Sequence, residues 1–188
     1  AEDDELISVN LTDGEREVMI ATHDGMAIRF NETDVRGMGR TARGVRGIRL
    51  SGGDYVVSAV VVDEEKPLLM VTENGYGKKT GPEEYRSQTR GGKGIFTYRI
   101  TDKSGKLVGM TAVSDNEDVM LITSEGIVIR MHTDEISTYS RQTQGVRLMR
   151  LDEGVSVVSL ALTERDNDDE TDAEETDAVQ SEETADSE

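Results

Sequence analysis

Three gapless copies of one 33-residue segment, beginning at Val18, Leu68 and Val119, run through this chain. A repeat of this period restricts the fold to an array of similar units that bury their apolar faces against one another. The stretches between the copies recur as well. Val57, Val108 and Val158 open Val-rich, strand-like runs, and a related run opens at Ile7.

Within a copy the signals are β. The short apolar runs at Val18, Leu68 and Val119 lead into His23-Asp24-Gly25, Glu73-Asn74-Gly75 and Ser124-Glu125-Gly126. Asp-Gly and Asn-Gly favour a type I′ hairpin, in which both central residues take positive φ. The return strands alternate, with Met26, Ile28 and Phe30 on one face, and likewise Ile127, Ile129 and Met131. Four strands in roughly 50 residues is the size of a propeller blade. No segment sustains a helical apolar period. The expected fold class is all-β, a propeller-like array of three four-stranded blades. It occupies residues 1–163, with repeats near 7–56, 57–107 and 108–163. Ordinary propellers close with about 4–8 blades, so three are expected to belong to a larger, partial ring.

The 188-residue chain carries a formal charge of −18, unevenly placed. Residues 164–188 hold 13 acidic side chains and a single basic one, Arg165. With almost no apolar residues, this tail cannot offset its ordering entropy and is expected to be disordered. It is also expected to compete for nearby basic residues at low salt with any other polyanion that they bind. The absence of Cys fits a reducing cytoplasm, the expected location. No apolar run approaches the roughly 20 residues of a membrane helix, so no membrane partner is expected.

Charge segregation carries the functional reading. Three columns of the repeat are basic in every copy: Arg29/Lys79/Arg130, Arg40/Arg90/Arg141 and Arg49/Arg99/Arg150. Residues 36–49 contain Arg36, Arg40, Arg43, Arg46 and Arg49 with no acid. Residues 86–99 contain Arg86, Arg90, Lys93 and Arg99, and residues 141–150 contain Arg141, Arg147 and Arg150, again with no acid. Lys78 adds a second cation beside Lys79. Alternation turns Arg29 away from the Ile28/Phe30 face, and the middle column lies in a Gly-rich loop. Stacked at equivalent places in successive blades, these stripes form a basic track suited to a polyanion backbone. Gly44, Gly94 and Gly145 lie beside the loop column, where a backbone without Cβ can approach a phosphate. The structural alternative rests on an acidic column, Asp34/Glu84/Glu135, which offers an ion-pair partner to one basic column. With no recognition helix or zinc-finger spacing, such a track reads phosphates and shape, not bases. Five Tyr and two Phe make a poor stacking platform for single strands.

The second copy contains Gln88-Thr89-Arg90-Gly91-Gly92-Lys93-Gly94. This run resembles the gyrase A box, Gln-basic-Arg-Gly-Gly-basic-Gly, of the DNA gyrase A C-terminal domain, and departs from it at Thr89. The surrounding copies are similar to the last three blades of that domain over about residues 5–162. The resemblance implies a β-pinwheel, a ring commonly of six blades that wraps duplex DNA on its basic rim. It thereby supports negative supercoiling by a type IIA topoisomerase. The implied partners are duplex DNA, the rest of gyrase A with its breakage-reunion domain, and gyrase B in a heterotetramer. The family carries its full box in the first blade; the degenerate box here implies DNA binding with weaker wrapping. The topoisomerase IV C-terminal domain, which lacks a full box, is the nearest alternative, and a protein-interaction propeller is another.

The resemblance also implies a non-catalytic region without a cofactor, because the family's cleavage tyrosine, metal module and ATPase lie in other domains or polypeptides. Tyr55, Tyr76, Tyr85, Tyr98 and Tyr139 are expected to pack or to sit in turns. His23 and His132 show no metal-ligand spacing. Gly77-Lys78-Lys79-Thr80 lacks the first Gly of a phosphate-binding loop, since Thr72 stands there. Asp166-Asn167-Asp168 lacks the EF-hand Gly, since Thr171 stands there.

Overall fold

A computed structural model describes residues 5–165, so the acidic tail, apart from Glu164 and Arg165, lies outside the described residues. Each copy begins with an antiparallel hairpin. These are β1 (Glu17–Thr22) with β2 (Met26–Asn31), β4 (Leu68–Thr72) with β5 (Tyr76–Thr80), and β8 (Glu117–Thr123) with β9 (Val128–His132). The turns differ from the expected type I′. Gly25, Gly75 and Gly126 have φ of 78°, 74° and 79°, and among the described residues no other residue type has positive φ. Gly25 N–H donates to Thr22 O and Gly75 N–H to Thr72 O, each at 3.0 Å. Asp24 and Asn74 therefore keep negative φ in a type I turn, and glycine alone takes the left-handed position.

The strand after each copy returns to the hairpin that precedes it in the chain. β3 (Val56–Val61) pairs with β1, β7 (Leu107–Ala112) with β4, and β11 (Val157–Glu164) with β8. A register shift near the turn recurs in all three pairs. The run at Ile7 forms no strand, because among the described residues no hairpin precedes it; Leu6, Val9 and Leu11 are exposed.

The fourth strand of a sheet comes from the next copy. β6 (Ile95–Phe96), from the second copy, pairs with β2, and β10 (Val146–Arg147), from the third, pairs with β5. The sheets run β3-β1-β2-β6, β10-β5-β4-β7 and β11-β8-β9. Two sheets thus have four strands and the third has three. Repeat and blade are not the same unit: the first and second blades each borrow their outermost strand from the next copy. Val45-Arg46, the first-copy counterpart of β6 and β10, forms no strand and is exposed.

Blade-to-blade packing fills the core. Met19, Ala21, Leu68, Met70, Tyr85 and Tyr98 cluster with Leu107 and Met110 between the first and second sheets. Leu69, Val71, Val119, Leu121 and Ile136 cluster between the second and third. Alternate residues of β4 therefore serve opposite interfaces. All five residues of β4 and all five of β5 are buried. At the far face, Ile127 and Val128 are exposed, since no described strand covers β9.

Candidate nucleic-acid interface

The Gly-rich segments wrap the outer edge of the preceding blade. Gln88 N–H donates to Arg29 O (2.8 Å), Gly91 N–H to Gly47 O (2.7 Å) and Arg49 N–H to Gly92 O (2.7 Å). The third copy repeats this on the second, with Tyr139 N–H on Lys79 O at 2.8 Å and Arg99 N–H on Thr143 O at 3.2 Å. A Cβ on Gly94 would overlap Ala27 O, and one on Gly145 would overlap Gly77 O. These glycines let one blade's chain cross close to another's backbone. In the described copies that close approach is to a neighbouring blade. At Gly44 nothing lies within 4 Å.

The basic residues divide into three groups. Arg36, Arg40, Arg43, Arg46, Arg49, Arg86, Lys93, Arg99, Arg147 and Arg150 are exposed. They lie on the outermost strands and the loops around them, and none makes an ion pair among the described residues. Arg90 and Arg141 are half-buried. Arg90 donates to Asp34 O (Nε, 3.1 Å) and to Arg46 O; Arg141 donates to Phe96 O (2.6 Å) and approaches Glu84 at 3.9 Å. The acidic column thus meets the loop column, across blades: Asp34 reaches the Arg of the second copy and Glu84 that of the third. Thr89 of the box is exposed beside Arg90.

The third group corrects the sequence reading. Arg29 is 8% exposed; it pairs with Glu17 and Glu64 and donates to Pro82 O at 2.9 Å. Lys79 is 5% exposed and pairs with Asp115 at 2.8 Å. Arg130 pairs with Asp118 at 2.7 Å and caps Glu164 O at 2.6 Å. Alternation turned these side chains off one apolar face; segments of the next copy cover Arg29 and Lys79 on the other, whereas Arg130 stays exposed and pairs within its own sheet. Their charges serve protein partners. Lys78 is fully buried, with Nζ donating to Ser140 O (2.7 Å) and Arg141 O (2.6 Å) above the Tyr98 ring. Burial lowers its pKa to about 8. It stands where the other copies have Ile28 and Ile129, on the apolar face. Arg29→Met is expected to cost about 2–3 kcal/mol by stranding Glu17 and the Pro82 carbonyl. Arg40→Gln should stay within about 0.5 kcal/mol. Urea unfolding of both variants measures the difference.

The sequence reading missed Glu17, Glu64, Asp115 and Asp118 as partners. Glu17 and Asp118 stand at equivalent places one residue before their copies, a signal present in the repeat. Tyr85 and Tyr98 pack in the core as expected, with the Tyr98 hydroxyl bonded to Gln144 O and that of Tyr85 to Thr97 at 2.5 Å. Among the described residues no cluster of three or more metal-ligating side chains occurs, and no helix is long and apolar enough to cross a membrane.

Interlocked four-stranded blades with basic outer edges define a propeller-like β-pinwheel. The family model described as DNA gyrase C-terminal domain, beta-propeller, matches residues 16–63, 66–114 and 117–164. The chain belongs to this DNA gyrase C-terminal domain family. It is 47% identical over 169 residues to the DNA gyrase A protein of Staphylococcus epidermidis, covering 89% of this chain and 19% of that protein. It is 46% identical over 179 residues to the Staphylococcus aureus counterpart, covering 93% of this chain and 20% of that protein. The chain thus spans about one-fifth of these curated relatives. Among solved structures, a DNA topoisomerase IV C-terminal domain superposes with TM-score 0.81 at 27% identity, over 86% of this chain and 51% of that one. A DNA gyrase A C-terminal domain superposes with TM-score 0.73 at 31% identity, over 78% and 50%.

Proposed function

We propose that this region binds duplex DNA without sequence preference along its outer edge and bends it there. In this reading it belongs to a protein of the gyrase A type, assembled with a gyrase B partner, and supports negative supercoiling in the cytoplasm. It supplies DNA contacts and no bond-breaking chemistry. The observation that carries the reading is the set of ten exposed, ion-pair-free basic residues on the outer strands and loops. The domain's net negative charge does not oppose it, because the charges are segregated: residues 36–49, 86–99 and 141–150 carry basic side chains and no acid. The higher identity to gyrase A proteins than to the topoisomerase IV domain favours the gyrase reading.

Fluorescence anisotropy tests the binding. Two duplexes of unrelated sequence should bind with Kd values within about threefold, because contacts to phosphates carry no base information. A tenfold preference for one of them would contradict phosphate readout. Cyclisation of a short linear duplex tests the bending, since protein bound along the outer edge should speed ring closure. An unchanged closure rate alongside tight binding would remove bending and leave binding.

A further inference from the structure

We propose that the cleft at the β4–β5 turn end of the second sheet is a phosphate subsite built by Lys103, Arg147 and Tyr76, where one backbone phosphate of duplex DNA is clamped. The inference rests on the DNA-binding reading above and adds Lys103 and Tyr76, which lie outside the repeated basic columns. The cleft holds about 410 Å³ and is lined by these three residues with Met149, Arg150 and Asp152.

Tyr76 is its floor. The ring is 6% exposed, and its hydroxyl accepts from both Nε (3.2 Å) and Nη2 (3.0 Å) of Arg147, its cross-strand partner. The Arg147 guanidinium lies 5.5 Å from the ring centroid and Lys103 Nζ lies 5.6 Å from it. Two cations therefore converge on one ring, and neither pairs with a carboxylate among the described residues. The proximity of Arg147 draws the Tyr76 hydroxyl below its usual pKa, as a site of local positive potential does. Like charges held together repel, and an anion seated between them removes that cost.

The turn that carries Lys103 is held in place. Asn74 Nδ2 donates to Asp102 O (3.1 Å) and Lys103 O (3.3 Å), Gly105 N–H donates to Thr101 O (2.9 Å), and Ser104 is fully buried. The amine is thus positioned before any ligand arrives, which lowers the ordering cost of binding. The corresponding turns, Ser51-Gly52-Gly53-Asp54 and Asp152-Glu153-Gly154-Val155, carry no cation, so among the described residues the cation pair is confined to this blade. Asp152 lines the same cleft and forms no ion pair with either cation among the described residues. Arg147 and Lys103 touch the phosphate; Tyr76 acts through Arg147 as a positioning residue.

The test titrates duplex DNA with the full chain and the double variant Lys103→Gln/Arg147→Gln across 50–200 mM salt. Loss of one neutralised phosphate should lower the salt slope by about 0.9 and affinity near 0.1 M salt by about eightfold. Tyr76→Phe, which keeps the ring, should weaken binding in the wild-type background and have no further effect beside Arg147→Gln. Inorganic phosphate at millimolar concentration should leave the melting temperature unchanged if the subsite needs the polymer. Stabilisation of wild type but not of the double variant would reassign it to free phosphate and overturn the proposal. An unchanged slope and affinity in a folded double variant, with wild type still binding, overturns the subsite and leaves the DNA reading standing. Failure of the wild type to bind duplex overturns both.

Discussion

Gly145→Ala should lower the melting temperature by about 6–12 °C, a loss of about 3 kcal/mol for a chain of this size. Gly44→Ala, the same change at the same place in the first copy, should cost only about 1 kcal/mol. Both glycines have positive φ, 67° and 77°, so the conformational penalty of an L residue, about 1–2 kcal/mol at most, is shared. They differ in surroundings. A Cβ at Gly145 overlaps Gly77 O on the neighbouring blade, whereas nothing lies within 4 Å of Gly44. To relieve the overlap, β10 must lift from β5. That disturbs Leu148 N–H on Gly75 O (2.8 Å) and the packing of Met149. Equal losses in the two variants would show that the borrowed strand contributes little to holding the blades together.

Stability should rise as pH increases from about 8 towards 10, and the cause is Lys78. The unfolded chain keeps this proton to the ordinary lysine range, whereas burial makes the folded chain release it near pH 8. Between those values the unfolded state binds more protons, so each increase in pH favours the folded state, by a total on the order of 2–3 kcal/mol. Above about pH 10 the direction reverses. Burial pushes the Tyr85 hydroxyl up to about 12 and raises that of Tyr98 too, so the unfolded tyrosines ionise first. Denaturant midpoints between pH 7 and 11 should therefore pass through a maximum near pH 10. Lys78→Met should flatten the rising limb and leave the falling one. A wild-type profile already flat from pH 7 to 10 would contradict the buried amine.

The local part of the fold was legible in the sequence. Hairpins, turn glycines and the inner strands repeat three times, and each depends on residues close in sequence. The exchange of outer strands was not. Ile95-Phe96 is only two residues long and pairs with Met26 and Ala27, far back in the chain, so no periodicity marks its host. Alternation correctly separated Arg29 from Ile28, but it cannot say what covers the second face. In a stack of sheets the next copy covers it for Arg29 and Lys79 and turns them into buried ion pairs, while Arg130, exposed at the end of the stack, pairs with Asp118 of its own sheet. Of the glycines near the loop column, Gly94 and Gly145 approach a backbone closely, that of the chain itself, and Gly44 has nothing within 4 Å. Lys103 and Tyr76 carry no repeat signal at all; only folding brings them together.

The salt dependence of duplex affinity tests the central claim most directly. Wild type should show log affinity falling linearly with log salt. The folded variant Arg86→Gln/Lys93→Gln/Arg99→Gln, which removes three exposed cations from one stripe, should lose about 2.7 from that slope. The same slope in both proteins, or no duplex affinity for wild type at about 50 mM salt, would contradict a DNA track along the outer edge.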